Sequence, residues 1–364
     1  MAINCGIVGL PNVGKSTLFN AMTAAHVPAE KYPFCTKDQN TGMVAVPDKR
    51  LTDIAAMFKP ERVIPTQVEF VDIAGLVEGA HKGEGLGNRF LGHIREVDAI
   101  AHVVRCFDAP DVAHSYPELN PVHDIEVVNT ELALADLELV QKACEKTAHA
   151  AKTGSAEARK ELPALEKLKA AIEAGLPARK AGLTAAEWES IPKLGLVTDK
   201  PVLYVLNVNE SDVKAPSARV KQALDFAQKD GAAAVEICGS IEDELADLSD
   251  EEKRAFLDDL GLEEPGLPRL IHAAYRLLDL ITFFTKDGPE VRAWTIKRGT
   301  RAPQAAGKIH TDFEKGFVRA EVYAYEELMK AGSEQKLKEL GHMRVEGHEY
   351  VIKDGDIVHF RFNV

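Results

Sequence analysis

Residues 9–17 read GLPNVGKST, which satisfies the GxxxxGK[ST] pattern of a phosphate-binding loop. The apolar run at 3–8 precedes this loop and predicts a buried strand, and a helix is expected to begin at Lys15. A glycine-rich turn between a strand and a helix points backbone N–H groups, and the positive end of the helix dipole, at phosphate groups. The stretch therefore predicts an α/β fold of the P-loop NTPase class that binds a nucleoside triphosphate.

The loop also predicts roles for single residues. The backbone N–H groups of residues 12–17 are expected to converge on the phosphates, and Lys15 is expected to bridge the β and γ phosphates and to act in catalysis. Ser16 is the predicted Mg²⁺ ligand through its hydroxyl. The nucleotide-binding residues predicted from the loop are Asn12, Val13, Gly14, Lys15, Ser16 and Thr17.

Two further segments are expected to respond to the γ-phosphate. The sequence DIAG at 72–75 ends the apolar run at 68–71, so Asp72 is expected to hold the metal through water and Gly75 to contact the nucleotide. Thr36, in the loop after the first helix, is the predicted second magnesium ligand, with Thr41 as the alternative.

The residue after DIAG departs from the pattern of the familiar signalling GTPases. Those proteins carry a Gln that orients the attacking water, and this chain has Leu76. Hydrolysis is therefore expected either to be slow or to use another group. The segment 77–89, VEGAHKGEGLGNR, contains four glycines and is expected to act as a mobile second switch.

The base is predicted from residues 207–210, which read NVNE where guanine-specific proteins have Asn-Lys-x-Asp. Asn207 ends the run at 202–206 and is expected to brace the site and touch the purine. Val208 cannot cover the base as Lys does, and Glu210 is one methylene longer than Asp, which displaces its carboxylate from the two guanine donors. The motif favours ATP over GTP, with guanine binding after a loop shift as the alternative.

A last loop of the nucleotide site is expected after the apolar run at 234–237. Cys238, Gly239 and Ser240 follow this run and are predicted to contact the base.

The arrangement of apolar runs indicates a mostly parallel sheet with helices on both faces. Buried strands are predicted at 3–8, 68–71, 100–104, 202–206 and 234–237. A charged, alanine-rich stretch with apolar residues spaced by three and four predicts an antiparallel helical hairpin that turns at 153–155. The predicted boundaries are 1–127 and 196–280 for the nucleotide domain and 128–195 for the inserted hairpin.

Residues 281–364 are predicted to form a separate, mainly β domain. Alternating aromatic and β-branched residues indicate strands, and one helix is expected at 325–331. Asp354-Gly355 predicts a two-residue hairpin turn between strands at 350–352 and 357–362, because Gly tolerates positive φ.

The charge of the chain is acidic, with 44 Lys and Arg against 57 Asp and Glu and a formal net charge of −13. The stretch 286–319 reverses this trend, with eight basic residues against four acidic ones, which suits either an ordinary surface or an RNA-facing patch. The five cysteines are widely separated and are expected to be reduced. Because no leader and no apolar run of about 18 residues is present, the chain is expected to be cytoplasmic and not to bind a membrane.

Together these motifs resemble the Obg-like ATPases of the YchF type, within the translation-factor class of P-loop GTPases. The resemblance covers essentially the whole chain. It rests on GLPNVGKSTLFNA, YPFCT with NTG, DIAGLVEGAHKGEGLGNRFL, VVRCF, DIEVVNTELALADLE, NVNE and the ending YVIKDGDIVHFRFNV.

The resemblance implies a nucleotide domain interrupted by a helical hairpin and followed by a TGS domain of the β-grasp type. It implies magnesium-dependent hydrolysis of ATP to ADP and association with the ribosome, particularly the large subunit. It also implies that His114, in the loop after VVRCF, replaces the missing Gln, that the backbone of Val208 meets adenine, and that Asn12 helps to bind K⁺. Two stretches differ from the common sequence of the family: 108–121 around His114, and 37–39 after YPFCT.

Two other functions remain open at the level of sequence. The chain could be a GTP-dependent ribosome-assembly factor, or a non-catalytic protein that binds RNA or the ribosome, through its TGS domain, with a structural nucleotide. The missing Gln at Leu76 motivates the second alternative.

Overall fold

The structure is a computed structural model that describes residues 3–24, 41–73, 75, 86–109, 112, 115–116, 118–246 and 248–363. The chain divides into two compact units. The first unit consists of Met1–Gly42 and Glu69–Leu270, and the second unit consists of Met43–Val68 and Ile271–Val364.

The secondary structure alternates in the first unit and is richer in strands in the second. The strands are β1 Asn4–Val8, β2 Thr41–Ala45, β3 Arg62–Ile64, β4 Gln67–Asp72, β5 Ala99–Arg105, β6 Val202–Asn207, β7 Ala233–Ile237, β8 Leu280–Asp287, β9 Glu290–Lys297, β10 Phe317–Ala324, β11 Arg344–Glu346 and β12 Asp356–Phe362. The helices are α1 Lys15–Ala24, α2 Lys49–Phe58, α3 Leu86–Glu96, α4 Pro121–Lys152, α5 Ala156–Glu173, α6 Ala185–Ser190, α7 Glu210–Lys214, α8 Ala218–Asp230, α9 Gly239–Ala246, α10 Asp250–Leu260, α11 Gly266–Leu277, α12 Ala302–Ile309, α13 Thr311–Lys315, α14 Tyr325–Ala331 and α15 Glu334–Glu339. None of the described helices combines the length and the apolarity needed to cross a membrane.

The first sheet has the strand order β2-β4-β1-β5-β6-β7. The neighbours from β4 to β7 pair in parallel, and every residue of β5 and β6 is buried. Strands covered on both faces read as continuous apolar runs, which explains why all five predicted strands are confirmed. Parallel strands end at the same edge of a sheet, so the segments after β1, β4, β5, β6 and β7 meet there.

The inserted hairpin is also confirmed, with α4 and α5 joined at 153–155. Asn120 caps α4 by accepting a hydrogen bond from the His123 N–H, and Ser155 caps α5. The two helices share a core cluster that includes Val140, Leu165 and Leu168. The first helix begins at Pro121, earlier than the predicted start at 128.

The second sheet has the strand order β11-β10-β12-β8-β9-β3. The pairs β8/β9, β10/β12 and β10/β11 are antiparallel, whereas β12/β8 and β3/β9 are parallel. Neighbouring residues of a strand face opposite sides, and accordingly Phe283 and Phe284 belong to different core clusters. Helix α12 packs on the Phe283 side, and α2 and α14 pack on the Phe284 side. The predicted fold class, a P-loop α/β domain with a hairpin and a C-terminal sheet domain, is confirmed.

The domain boundaries differ from the predicted ones at two places, and one of them is that the C-terminal part of the second unit begins at Ile271 and not at 281. Residues 43–68, assigned to the nucleotide domain from the sequence, belong to the second unit. Strand β3 pairs with β9, and Leu51 and Ile54 of α2 share a core with Phe284. The apolar stripe of α2 specifies that the helix is half-buried but not which partner buries it, so the sequence could not make this assignment.

The predicted hairpin at Asp354-Gly355 is wrong, although the turn itself is present. Gly355 has a φ of +88°, and Asp356 N–H donates to Lys353 O over 3.2 Å. Strand β12 pairs with β10 and β8, while residue 351 makes only an isolated bridge to Arg301. The expectation of a single C-terminal helix is also wrong, since α12, α13 and α15 accompany α14.

Candidate nucleotide site

The phosphate-binding loop takes a shape that its glycines make possible. A Cβ atom on Gly9 would lie 2.4 Å from Val103 O, and one on Gly14 would lie 2.3 Å from Asn207 Nδ2. Gly14 has a φ of +94° and Asn12 a φ of +61°, a region that Asn tolerates better than most residues. The loop passes directly into α1, whose Leu18 N–H donates to Gly14 O over 3.0 Å. The backbone amides of residues 12–17 thus belong to a turn that leads into a helix N-terminus, the geometry that binds phosphate.

Lys15 lies at the centre of the phosphate corner, the turn formed by residues 9–17 between β1 and α1. Its side chain is 7% exposed, and its Nζ atom donates to Gly9 O over 3.1 Å and to Leu10 O over 2.7 Å. Burial lowers the pKa of Lys15 to about 8, and the nearby charge of Asp72 opposes this shift. A Cβ atom on Gly75 would lie 3.3 Å from the same Nζ atom, so the DIAG glycine closely approaches the ammonium group.

Ser16 and Asp72 form the candidate metal site. Ser16 Oγ donates to Asp72 Oδ2 over 3.1 Å. Asp72 Oδ1 is buried and has no hydrogen-bond partner among the described residues. A hydroxyl and a carboxylate are hard oxygen donors of the kind that Mg²⁺ prefers, and the unpaired oxygen is suited to a water of its hydration shell. The donor set therefore fits the predicted ion, while Thr36 lies outside the described residues.

Asn207 connects the phosphate loop to the base side. Its Nδ2 atom donates to Val13 O over 3.0 Å, and its Oδ1 atom accepts from the Gly239 N–H over 3.1 Å. The side chain is 5% exposed. A planar amide with both ends bonded to backbone holds the loops after β1 and β7 at a fixed separation.

A cavity of about 500 Å³ opens beside Asn207 at the same edge of the sheet. Its walls come from the phosphate loop, the loop after β5, the NVNE motif and the loop after β7. The lining residues are Gly14, Thr17, Phe107, Asp108, Asn207, Val208, Asn209, Glu210, Ser211, Gly239 and Ser240. Of the predicted base contacts, Cys238 is buried and does not line this cavity.

The NVNE residues take different positions around the cavity. Val208 is 2% exposed, and its N–H donates to Ile237 O over 2.8 Å, so its backbone amide is committed to the sheet. Glu210 is exposed, and its Oε1 atom lies 3.4 Å from the Ser240 hydroxyl, whose oxygen is 3.2 Å from Cys238 Sγ. The carboxylate that would read guanine thus lines the cavity and contacts the loop after β7.

The loop after β5 contributes cavity-lining residues that the sequence motifs did not predict. Phe107 and Asp108 line the cavity, and Arg105 at the end of β5 donates to carbonyl groups of this loop. The position of the VVRCF motif at the end of a central parallel strand was a signal that could have identified them. His114 and Leu76, and residues 77–85 of the predicted second switch, lie outside the described residues.

A second cavity of about 490 Å³ lies near the start of β5 and β6, at the base of the hairpin. Its walls are mainly apolar side chains such as Leu137, Leu176 and Phe226. It contains none of the predicted site residues and is separate from the nucleotide site.

Comparison with known proteins gives full-length relatives. Over 364 residues, with complete coverage of both chains, the sequence is 52% identical to the "Ribosome-binding ATPase YchF" of Haemophilus influenzae. It is 50% identical over 366 residues to the protein of the same name from Bacillus subtilis, again with complete coverage. The solved structure of the Schizosaccharomyces pombe YchF GTPase is similar with a TM-score of 0.88 and 37% identity, covering 99% of this chain and 97% of the other.

Two family models match separate parts of the chain. Residues 4–140 match a model described as a 50S ribosome-binding GTPase. Residues 280–363 match the C-terminal model of YchF GTPases, described as a protein of unknown function.

Proposed function

We infer the function of this chain from the YchF family, to which it belongs. We propose that it hydrolyses ATP to ADP in a magnesium-dependent reaction and acts as a ribosome-associated conformational switch. The observation that carries this proposal is the contrast within one site: Lys15, Ser16 and Asp72 come together at the phosphate loop, beside a base cavity that lacks the Asn-Lys-x-Asp guanine reader.

The phosphate corner supplies the groups that bind the phosphates and the positive charge that offsets theirs. The backbone amides of residues 12–17 bind the phosphates, and Lys15 leaves the carbonyls of Gly9 and Leu10 to bridge the β and γ groups. Ser16 and Thr36 are the residues proposed to hold Mg²⁺, with Asp72 bound through water, and K⁺ is proposed beside Asn12. The magnesium ion neutralises charge on the β and γ phosphates when bound. His114 is the proposed replacement for the water-orienting Gln.

The base side supports adenine. Guanine presents two donors that require a well-placed carboxylate, whereas Glu210 is one methylene longer than the Asp of guanine-specific proteins and contacts Ser240. Adenine presents an amino group, and the backbone carbonyl of Val208, whose N–H is committed to Ile237, is the proposed acceptor. We propose base contacts from Asn207, Val208, Glu210, Gly239 and Ser240, with Cys238 supporting Ser240 from behind.

The proposed partner is the ribosome, through its large subunit. The names of the full-length relatives describe ribosome binding, and the description of the model matched by residues 4–140 specifies the 50S subunit. The second unit carries the basic stretch 286–319, which we propose as an rRNA contact. We propose a cytoplasmic location, since the ribosome is the proposed partner.

Dissociation constants for ATP and GTP, measured with magnesium, test the proposed base. ATP is expected to bind at least tenfold more tightly, since a missing bidentate contact is typically worth about that much or more. Glu210→Asp with Val208→Lys should shift the preference toward GTP, while Glu210→Gln serves as the control of the same size. Equal or tighter binding of GTP by the wild-type protein would exclude the ATP preference and favour the GTP-dependent alternative.

Turnover of radiolabelled ATP, alone and with purified ribosomes, tests the proposed reaction. Lys15→Ala should abolish turnover, because the bridging charge on the β and γ phosphates is lost. ATP that binds but is not hydrolysed under either condition would support a structural nucleotide. Unchanged turnover in Lys15→Ala would identify a contaminating enzyme.

A further inference from the structure

Arg105 is a buried cation that binds the loop after β5. It is the last residue of β5 and is 4% exposed. Its Nε atom donates to Phe107 O over 3.2 Å, its Nη2 atom to Ala109 O over 3.0 Å, and its Nη1 atom to Val112 O over 3.1 Å. One guanidinium group therefore binds three carbonyls of the segment after β5, an arrangement that suits a planar group with several donors in a fixed fork.

The same guanidinium lies against the side chain that faces the base cavity. The Arg105 Cζ atom is 4.7 Å from the centroid of the Phe107 ring, within the range of a cation–π contact. Phe107 lines the cavity beside Asn207 and Val208. An aromatic ring held in place at the wall of this cavity provides a face on which a base can stack.

The loop is also tied to the NVNE motif. The Asp108 N–H donates to Asn209 Oδ1 over 3.2 Å, so the third residue of the motif holds the loop after β5. The Asp108 carboxylate accepts two hydrogen bonds from Arg219, over 2.7 and 2.8 Å. Arg105 and Asn207 are themselves paired across β5 and β6, so these contacts start from two adjacent strand ends.

We propose that Arg105 is a positioning residue for base recognition, acting through Phe107, and that Asn209 completes the attachment from the opposite wall. The inference rests on the proposed function, since it takes the base in this cavity to be the adenine of ATP. Without Arg105 the phosphate corner keeps its own contacts, because the Asn207 side chain holds the loop through Val13 O. Removal of the Arg105 side chain should therefore weaken binding of the base and leave binding of the phosphates unchanged.

Arg105→Gln and Arg105→Lys test this inference against the ligands ATP and inorganic tripolyphosphate, which has phosphates but no base. Arg105→Gln is expected to raise the Kd of ATP about tenfold, the equivalent of about 1.4 kcal/mol of lost stacking, and to leave the Kd of tripolyphosphate unchanged. Arg105→Lys should recover only part of the affinity. Arg298→Gln, at an exposed position in the second unit, is the matched control and should change neither constant.

A double-mutant cycle tests the route through the ring. If Arg105 acts by positioning Phe107, the double variant Arg105→Gln/Phe107→Ala should bind ATP no more weakly than Phe107→Ala alone. Additive losses, or an equal loss of tripolyphosphate affinity in Arg105→Gln, would overturn the inference. If Arg105→Gln does not fold, Asn209→Ala, at a partly exposed site, should weaken ATP but not tripolyphosphate, and equal weakening of both would overturn the proposal.

Failure of the proposed function would look different. If wild-type protein bound ATP no better than GTP or did not hydrolyse it, the proposed function would fail whatever the variants show. If wild-type protein hydrolysed ATP and Arg105→Gln changed neither the KM for ATP nor kcat, only the proposed role of Arg105 would be excluded.

Discussion

At Lys15, burial favours the neutral amine, whereas phosphate binding requires the charged ammonium group. The buried ammonium is satisfied by the carbonyls of Gly9 and Leu10, yet burial still lowers its pKa to about 8 from the ordinary 10.5. Below pH 8 the group is charged in both the folded and the unfolded protein. Between about 8 and 10.5 the unfolded chain binds more protons, so this residue makes the free energy of unfolding rise with pH in that range.

The affinity for ATP should therefore fall as the pH rises, whereas the contribution of Lys15 to the free energy of unfolding increases. The phosphates require the charged lysine, so binding above pH 8 must take up a proton. The Kd of ATP is expected to be flat below pH 8 and to rise above it by up to about tenfold per pH unit, as measured by titration with a fluorescent ATP analogue. Lys15→Arg, which stays charged, should give a flat profile in the same range. A rise of equal size in both proteins would show that another group titrates.

Among the elements, the hairpin depends on one buried carboxylate at its base. Asp136 of α4 is fully buried and accepts hydrogen bonds from the Val197 N–H over 2.9 Å, the Thr198 N–H over 2.7 Å and the Thr198 hydroxyl over 2.6 Å. The segment that leads into β6 is thereby attached to the long helix. Burial raises the pKa of Asp136, and the donors from Thr198 and Val197 oppose this shift.

Asp136→Ala is expected to lower the free energy of unfolding of the first unit by about 3 kcal/mol, because two buried N–H groups lose their acceptor. Urea denaturation followed by circular dichroism measures this change. Glu138→Ala is the control on the same helix, since Glu138 is exposed and pairs with Lys142 at the surface, and it should change the midpoint little. A loss of similar size in both variants would mean that the buried carboxylate of Asp136 does not account for the change in stability.

At the scale of the whole molecule, the second unit is built from two distant parts of the chain. Residues 43–68 provide β3 for its sheet and α2 for one of its cores. The chain leaves the first unit within β2 and returns within β4. A protein cut before residue 271 would therefore retain α2 and β3 without the sheet on which they pack.

The basic stretch of the second unit is only partly neutralised. Arg298, Arg301 and Arg319 pair with acidic side chains. Lys308 and Lys315, on the adjacent helices α12 and α13, are exposed and form no salt bridge within the described part of the chain. Both side chains are therefore available to contact phosphate groups of RNA.

Lys308→Glu with Lys315→Glu is expected to weaken cosedimentation with ribosomes by about tenfold or more at moderate salt, because two phosphate contacts are lost and replaced by repulsion. Lys336→Glu with Lys338→Glu changes the net charge equally on exposed positions of α15 and is the matched control. If both double variants lose binding equally, net charge rather than this patch governs the association. If neither does, the ribosome contact lies elsewhere.

The sequence by itself determined the features whose signals are local. The phosphate loop follows from glycine conformation and spacing, and the five buried strands follow from continuous apolar runs. The hairpin turn at 153–155 and the brace made by Asn207 were likewise predictable, since each depends on residues adjacent in sequence or at the end of a recognisable strand.

The tertiary structure alone decided which distant segments became partners. It placed β3 beside β9, gave β12 the neighbours β10 and β8 in place of residues 350–352, and brought Arg105 and Phe107 to the wall of the base cavity. The physical reason is the same in each case. An apolar stripe or a donor group states that a partner is required, but only the packing of the whole chain selects which partner supplies the buried area or the acceptor.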